Sequence, residues 1–374
     1  MESRNEKKSE NMTYSGSGVD YGAIDPFKRL AQELAGQTAA NIARFGFSEV
    51  SASRGESAYL IETPEYYLAH VEEGLGTKNL IADEMFRLTG RSYYAGIAQD
   101  TVAMIVNDLV TLGALPISVA MHLGVGDSEW FKNETRYRDL AQGWRKACDL
   151  ARCNWGPGET PGLKDVVNPQ TAVLAGSALG IIKPKYRMIA GNVCDGDAIV
   201  LVESSGIHAN GLTMARRIAS RLPQGYLAEI PGGRTYGDAL LDPTHIYVGL
   251  VEDCLNSGAD IHYAVNITGH GWRKLMRLEK PFAYVVERLP RSLPVFEFIQ
   301  EQGPVDDLEA YANFNMGAGF ALYVPQNNVK TVIDIAMSLG LVAFKAGHID
   351  AAQNKKVIIA PLGIEYAGDT LRVR

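Results

Sequence analysis

Asn107-Asp108-Leu109-Val110-Thr111-Leu112-Gly113-Ala114-Leu115-Pro116 is the stretch that decides the reading of this chain. Ahead of it, Val102, Ile105, Val106 and Leu109 recur at helical spacing, which predicts a helix over 99–112. Gly113 and Pro116 stop that helix, and a strand is expected over 117–122. An acid is therefore held at an element boundary, where a ligand can reach it. The helix dipole disfavours an anion at a C-terminus, so Asn107 and Asp108 are poorly explained as local stabilisers and point to function. Asp100 lies seven residues before Asn107 on the same face. Near the expected helix start it reads as a cap, or, if buried, as an acid whose partner is a metal or a ribose.

Upstream, a predicted strand over 66–71 runs into Glu72-Glu73-Gly74-Leu75-Gly76-Thr77-Lys78. Glycines let a backbone approach phosphate oxygens, and a lysine adds a point charge. The spacing is not that of a Walker loop, and a plain turn with an exposed Lys78 is the alternative. Glu72 and Glu73 read as carboxylates sharing Mg²⁺ with a phosphate, or as solvated charges.

In the other half, a predicted strand over 197–203 leads into Ser204-Ser205-Gly206-Ile207-His208-Ala209-Asn210-Gly211, and a helix is expected over 212–221. A strand-to-helix junction of small residues aims backbone N–H groups at an anion. His208 and Asn210 add donors for developing negative charge. Trp155-Gly156-Pro157-Gly158-Glu159-Thr160-Pro161-Gly162 is read as a loop, with Glu159 either a substrate contact or a bystander. Ile267-Thr268-Gly269-His270-Gly271-Trp272 and Asn313-Phe314-Asn315-Met316-Gly317-Ala318-Gly319 are glycine clusters that fit close packing at element edges.

Further helices are expected over 26–37 (Phe27, Leu30, Ala31 and Leu34 on one face), 134–152 and 329–339. Further strands are expected over 59–61, 172–182, 283–287, 317–324, 341–346 and 356–360. The small residues Ala175, Gly176, Ser177 and Ala178 call for close packing, and Lys183–Arg187 reads as a crossing between halves. Mixed helices and strands indicate an α+β protein. A chain of 374 residues suits two domains: a polar tail over 1–17 that is expected to be disordered, then 18–187 and 188–374.

With 46% hydrophobic and 21% charged residues, the composition is that of a globular protein. A net charge of −7 argues against nucleic-acid binding, while allowing a local basic pocket. No apolar run reaches transmembrane length, and the charged start is not a secretory signal. Cys148, Cys153, Cys194 and Cys254 form no CxxC pair and read as free thiols of a reducing, cytoplasmic compartment.

Taken in order, these pieces resemble the aminoimidazole ribonucleotide synthetase family from Gly18 to Gly363. Gly18-Val19-Asp20 is similar to the family's start, and Gly74–Lys78 to its Asp-Gly-Val-Gly-Thr-Lys loop. Asp108, Gly113, Ala114 and Pro116 match DxxxxGAxP. Ser204–Gly211 resembles Ser-Ser-Gly-x-His-Ser-Asn-Gly, Ile267–Gly271 Ile-Thr-Gly-Gly-Gly, and Phe314–Gly319 Phe-Asn-x-Gly-x-Gly. There are departures. Glu73 stands where the family has Asp, the 156–162 loop is shortened, and His270 replaces a glycine.

The resemblance implies a two-domain, homodimeric fold: an N-terminal ATP-binding domain and a C-terminal α/β sandwich domain. It implies ATP and Mg²⁺, and ATP-dependent closure of formylglycinamidine ribonucleotide to the imidazole in purine biosynthesis. On that basis Lys78 and His208 are the expected catalytic residues, and Gly74, Gly76, Thr77, Lys78, Asn107 and Asp108 the ATP contacts. Glu159, Ser204, Ser205, Gly206, His208 and Asn210 are expected at the substrate, and Glu73, Asp100 and Asp108 at the metal. Selenophosphate synthetases and the hydrogenase-maturation dehydratase are disfavoured, because cysteine is absent from 13–22 and from the final Arg372-Val373-Arg374. Thiamine-phosphate kinase is a weaker match at 267–271. A paralogue using ATP on another carbonyl, or a silent nucleotide-binding subunit, remains an alternative because of the altered loops.

Overall fold

The computed structural model describes residues 21–371. The expected tail, Gly18-Val19-Asp20 and Arg372-Val373-Arg374 lie outside the described residues.

The first half contains helices α1 (Tyr21–Gly36), α2 (Lys78–Thr89), α3 (Tyr94–Val110) and α4 (Glu134–Leu150). Its strands are β1 (Ser48–Glu49), β2 (Tyr59–Glu62), β3 (Tyr67–Gly74), β4 (Leu115–Val125), β5 (Asn154–Glu159) and β6 (Ala172–Ile182). They form one six-stranded sheet in the order β1-β2-β3-β6-β4-β5. Every pairing is antiparallel except β4 with β5.

The second half contains β7 (Ala198–Glu203), α5 (Leu212–Ala219), β8 (Glu229–Ile230), β9 (Arg234–Thr235), α6 (Tyr236–Leu240) and α7 (Val248–Ser257). It continues with β10 (Tyr263–Asn266), β11 (Phe282–Val286), α8 (Pro294–Gln302), α9 (Asp307–Asn313), β12 (Ala318–Val324) and α10 (Val329–Ser338). β13 (Ala343–Ala351), β14 (Lys356–Ile359) and β15 (Ile364–Ala367) complete it. Seven of these strands make a second sheet, ordered β10-β12-β7-β13-β11-β14-β15, while β8 and β9 form a separate hairpin. The α+β assignment holds: each main sheet is antiparallel apart from one parallel pair, with helices packed beside it.

α3 explains how the halves meet. Ile97, Ala98, Val102, Ala103, Ile105, Val106, Leu109 and Val110 cover most of its circumference, and all are buried, as are the polar Asp100 and Asn107 on the remaining face. A helix so largely apolar must be enclosed, and its polar face then needs partners from the other half. It packs against β3, β6, β4 and α4 of its own half, and against α7 and β10 of the other. The small residues of β6 permit this approach: a Cβ on Gly176 would lie 2.2 Å from the Ala120 carbonyl oxygen and 2.9 Å from Ile105.

Three local expectations are corrected. α3 begins at Tyr94, so Asp100 lies inside the helix rather than at its cap. α1 begins at Tyr21 and contains Pro26 instead of starting there. Of residues 155–162, read as loop, 155–159 belong to edge strand β5, whose register with β4 shifts between Val119 and Met121. The proline fits because a shifted edge position needs no ladder donor.

Candidate active site

A cleft of about 370 Å³ opens where the two halves meet. Glu73, one residue from the end of β3, supplies one wall, and Met104 and Asp108 of α3 supply the floor. Asn210 enters from the turn before α5. Thr268, Gly269, His270, Lys274 and Arg277 come from the turn after β10 and the short 3-10 helix Gly271–Met276 that follows. Asp25, Lys28, Arg29 and Gln32 of α1 close the remaining side.

The electrostatics of this cleft are set by close opposite charges in a buried place. Asp108 Oδ1 accepts from Asn266 Nδ2 at 2.8 Å, so β10 of the second half orients the signature acid of the first. Burial pushes the Glu73 carboxyl up to about 7, and the neighbouring Asp108 carboxylate adds to the rise. Burial pulls the Lys274 ammonium down to about 8, against the opposing pull of Asp108. Lys274 Nζ donates to Thr268 Oγ1 at 2.6 Å. His270 has a φ of 72°, unusual for a residue with a side chain. Its imidazole is lowered to about 3 by burial and by the Arg273, Lys274 and Lys28 cations. Carboxylate and amide oxygens facing lysines and arginines suit a hard divalent cation carrying a polyanion.

Other expected residues surround the cleft without lining it. Lys78 is fully buried, and its Nζ donates to Asp100 Oδ1 at 2.8 Å and to the Asp242 carbonyl oxygen at 2.7 Å. Asp100 Oδ1 also accepts from the Thr244 amide at 2.8 Å and from its hydroxyl at 2.5 Å. Lys78 and Asp100 thus tie the start of α2 and the middle of α3 to the segment before α7, and neither faces the cleft. Asn107 does the same two turns further on: its Nδ2 donates to the His245 carbonyl oxygen and its Oδ1 accepts from the Tyr247 amide, both at 2.8 Å.

His208 is buried at a φ of 60° and accepts from the Ser205 amide at 3.3 Å through Nε2. Burial first, then His245 and Lys78, hold this imidazole well below its usual range, so it is neutral at physiological pH. Ser204 Oγ donates to Asn315 Oδ1 at 3.0 Å, the Gly206 carbonyl oxygen accepts from Asn315 Nδ2 at 2.9 Å, and Ser205 Oγ donates to the Pro243 carbonyl oxygen at 2.6 Å. The turn is thereby locked from behind, and Asn210 alone of its expected residues reaches the cleft wall. Gly74 ends β3, Gly76 has a φ of 78°, and Thr77 is the N-cap of α2 without a side-chain capping bond. Glu159 is exposed on edge strand β5 and does not line the cleft.

Lys274, Arg277, Asn266, Lys28 and Arg29 were not anticipated from the sequence. The first three flank the Ile267–Trp272 glycine cluster, which is the signal that could have led to them. Lys28 and Arg29 belong to the polar side of the predicted amphipathic helix.

Residues 55–182 match the family described as AIR synthase related protein, N-terminal domain, and residues 195–360 match AIR synthase related protein, C-terminal domain. The phosphoribosylformylglycinamidine cyclo-ligase of Methanococcus vannielii is 32% identical over 341 residues, 91% of this chain and 92% of the relative. That of Methanosarcina acetivorans is 32% identical over 332 residues, 87% and 92% of the two chains. Among solved structures, AaThiL complexed with AMPPCP and TMP superimposes with a TM-score of 0.59 at 14% identity, covering 94% of this chain and 96% of that one. Hydrogenase maturation protein HypE in complex with ATP gives 0.59 at 17% identity, covering 82% and 85%. At those identities the likeness is one of fold.

Proposed function

This chain belongs to the AIR synthase related protein family, and from that premise we propose that it is an ATP-dependent phosphoribosylformylglycinamidine cyclo-ligase of purine biosynthesis. The γ-phosphoryl of ATP passes to the formamide oxygen of formylglycinamidine ribonucleotide, leaving ADP. An amide oxygen is a poor leaving group, and phosphorylation makes it a good one. The amidine-side nitrogen then attacks the activated carbon, loses a proton, and expels phosphate as the imidazole ring closes. A site for such chemistry acts chiefly by positioning and by neutralising charge.

The observation that carries the reading is the convergence of Glu73, Asp108, Asn210 and Lys274, from four separated segments, on one cleft. Glu73 and Asp108 are a pair of oxygen donors, with Asp108 close enough to raise the Glu73 carboxyl, and they fit Mg²⁺. The ion, when bound, neutralises phosphate charge. Lys28, Arg29, Lys274 and Arg277 hold phosphate oxygens, and Asn210 hydrogen-bonds substrate. Lys78, Asp100, Asn107 and His208 act by positioning the walls, and Gly76 and Thr77 offer their backbone amides to phosphate.

The enzyme is a homodimer of the cytoplasm in this reading. Phe27, Leu30 and Leu34 of α1 are at least half exposed, a solvent-facing apolar stripe that suits a second copy. No helix among the described residues is long and apolar enough to cross a membrane. The decisive assay incubates purified protein with Mg-ATP and formylglycinamidine ribonucleotide and follows the imidazole product and ADP. Equal yields of both are expected. ATP binding without either product would identify a silent nucleotide-binding subunit, and ADP formation only with another carbonyl compound would identify a paralogue.

A further inference from the structure

Cys194, Asp197 and His262 bring a thiol sulfur, a carboxylate oxygen and a ring nitrogen within 4.8 Å of one another. Cys194 and Asp197 belong to the turn that enters β7, and His262 immediately precedes β10. Both segments are fixed by hydrogen bonds from backbone amides. The Cys194 amide donates to Asp197 Oδ2 at 2.8 Å, and the Asp197 amide to the Cys194 carbonyl at 3.2 Å. The Asn192 amide donates to the His262 carbonyl at 3.1 Å, and the His262 amide to the Tyr323 carbonyl at 2.8 Å.

His262 carries the second observation. Its Nδ1 lies 2.6 Å from Asp197 Oδ2, and its Nε2 lies 3.2 Å from Asp260 Oδ2. A neutral imidazole has one N–H and cannot donate to both carboxylates. On a neutral ring one of the two carboxylates is therefore left without a donor from the ring, a place that a metal ion can fill. In the tautomer with Nε2–H directed at Asp260, the Nδ1 lone pair meets the Asp197 carboxylate at 2.6 Å, a repulsion that a cation held by Nδ1, Asp197 and Cys194 relieves. Such a carboxylate–histidine pair orients a ligand ring and raises its basicity. Exposed Cys194 gives an ion a path in from solvent.

We propose that Cys194, Asp197 and His262 form a binding site for a divalent transition ion of the zinc class. One sulfur, one nitrogen and one oxygen suit zinc or cobalt and disfavour magnesium or calcium. Thiolate and carboxylate together balance a dication, and binding releases the Cys194 proton to solvent. Three protein ligands leave a fourth position for water. The ion would staple the crossing between the two sheets onto β10. The opposite end of that strand holds Asn266 against Asp108, so the site is separate from the cleft yet shares a strand with it.

The test uses the full chain, stripped with a chelator, kept reduced with a phosphine, and titrated with Co²⁺. One equivalent should bind and produce a thiolate-to-cobalt charge-transfer band, and Zn²⁺ should abolish it. Cys194→Ser should lose the band although Cys148, Cys153 and Cys254 remain. Asp260→Asn should keep the band and bind about ten- to a hundredfold more weakly. Residues 194 and 260 are exposed, so both variants fold. Failure to bind one equivalent, an unchanged band in Cys194→Ser, or parental affinity in Asp260→Asn overturns the assignment.

Discussion

Lys78 and Asp100 face each other at 2.8 Å with neither side chain exposed to solvent. Burial raises the Asp100 carboxyl, and Lys78 and Thr244 counter that rise. Asp100 Oδ2 has no hydrogen-bond partner among the described residues, and Lys78 is the cation that compensates this buried charge. Lys78→Met should therefore cost about 3–5 kcal/mol in urea unfolding. The double variant Lys78→Met, Asp100→Asn should recover part of the loss, because the amide carries no charge. A single variant of parental stability would show that the pair is solvated in solution.

Gly113 explains the glycine of the DxxxxGAxP stretch. Its φ is 80°, and a Cβ there would lie 2.5 Å from the Arg187 carbonyl oxygen. Gly113→Ala should destabilise by about 1–2 kcal/mol from the left-handed backbone alone, and by more from the contact. Thermal unfolding checks this, and unchanged stability would place the backbone elsewhere.

How much was legible follows from where the information sits. α3 and the Asp108 boundary were readable because their apolar spacing and their glycine and proline stops are local. β5 was not, because only its pairing with β4 makes a strand of a Gly-Pro-Gly sequence. Likewise Glu73 and Asp108 could be named as acids, but their mutual distance depends on how β3 and α3 pack. Lys78 reads from the sequence as a phosphate-binding cation, or as the exposed charge of a plain turn, because Asp100 and the Asp242 carbonyl that enclose it are distant in the chain. Lys274 carried no signal beyond its nearness to a glycine cluster. Contacts at long sequence separation, rather than residue types, were what the chain alone withheld.

Asp108→Asn and Glu73→Gln should both fold, since an amide oxygen can still accept from Asn266 or from the Gly74 amide. Each removes one negative charge from the proposed Mg²⁺ pair. Turnover with formylglycinamidine ribonucleotide should fall about a hundredfold or more, with a raised Mg²⁺ requirement. Steady-state assays across Mg²⁺ concentrations decide, and parental kinetics in both variants would remove the pair from catalysis.

His270 makes acid stability a readout of the cleft. In the unfolded chain its imidazole titrates near ~6.5, whereas in the folded protein it is lowered to about 3. A depressed value means that stability is fully present above the unfolded value and is lost as pH falls through the window from there to about 3. His270→Gln should flatten the decline by on the order of 3–5 kcal/mol across that window. His208 and His245, also held low by burial, contribute the same background to both proteins. Chemical denaturation at a series of pH values gives the comparison, and identical slopes would mean that His270 is solvated.

The α1 stripe tests the assembly. Phe27 is 72% exposed, Leu30 52% and Leu34 51%, whereas Lys28 and Arg29 of the same helix border the cleft. Exposing three large apolar side chains in a row opposes the hydrophobic effect unless something covers them. A second copy that covered the stripe would also hold Lys28 and Arg29 in place, which couples assembly to activity. Phe27→Glu with Leu30→Glu should therefore give a monomer by light scattering and lower turnover, while the monomer's unfolding remains cooperative. A dimer that survives both charges places the interface elsewhere, and a parental protein that scatters as a monomer removes the homodimer from the reading altogether.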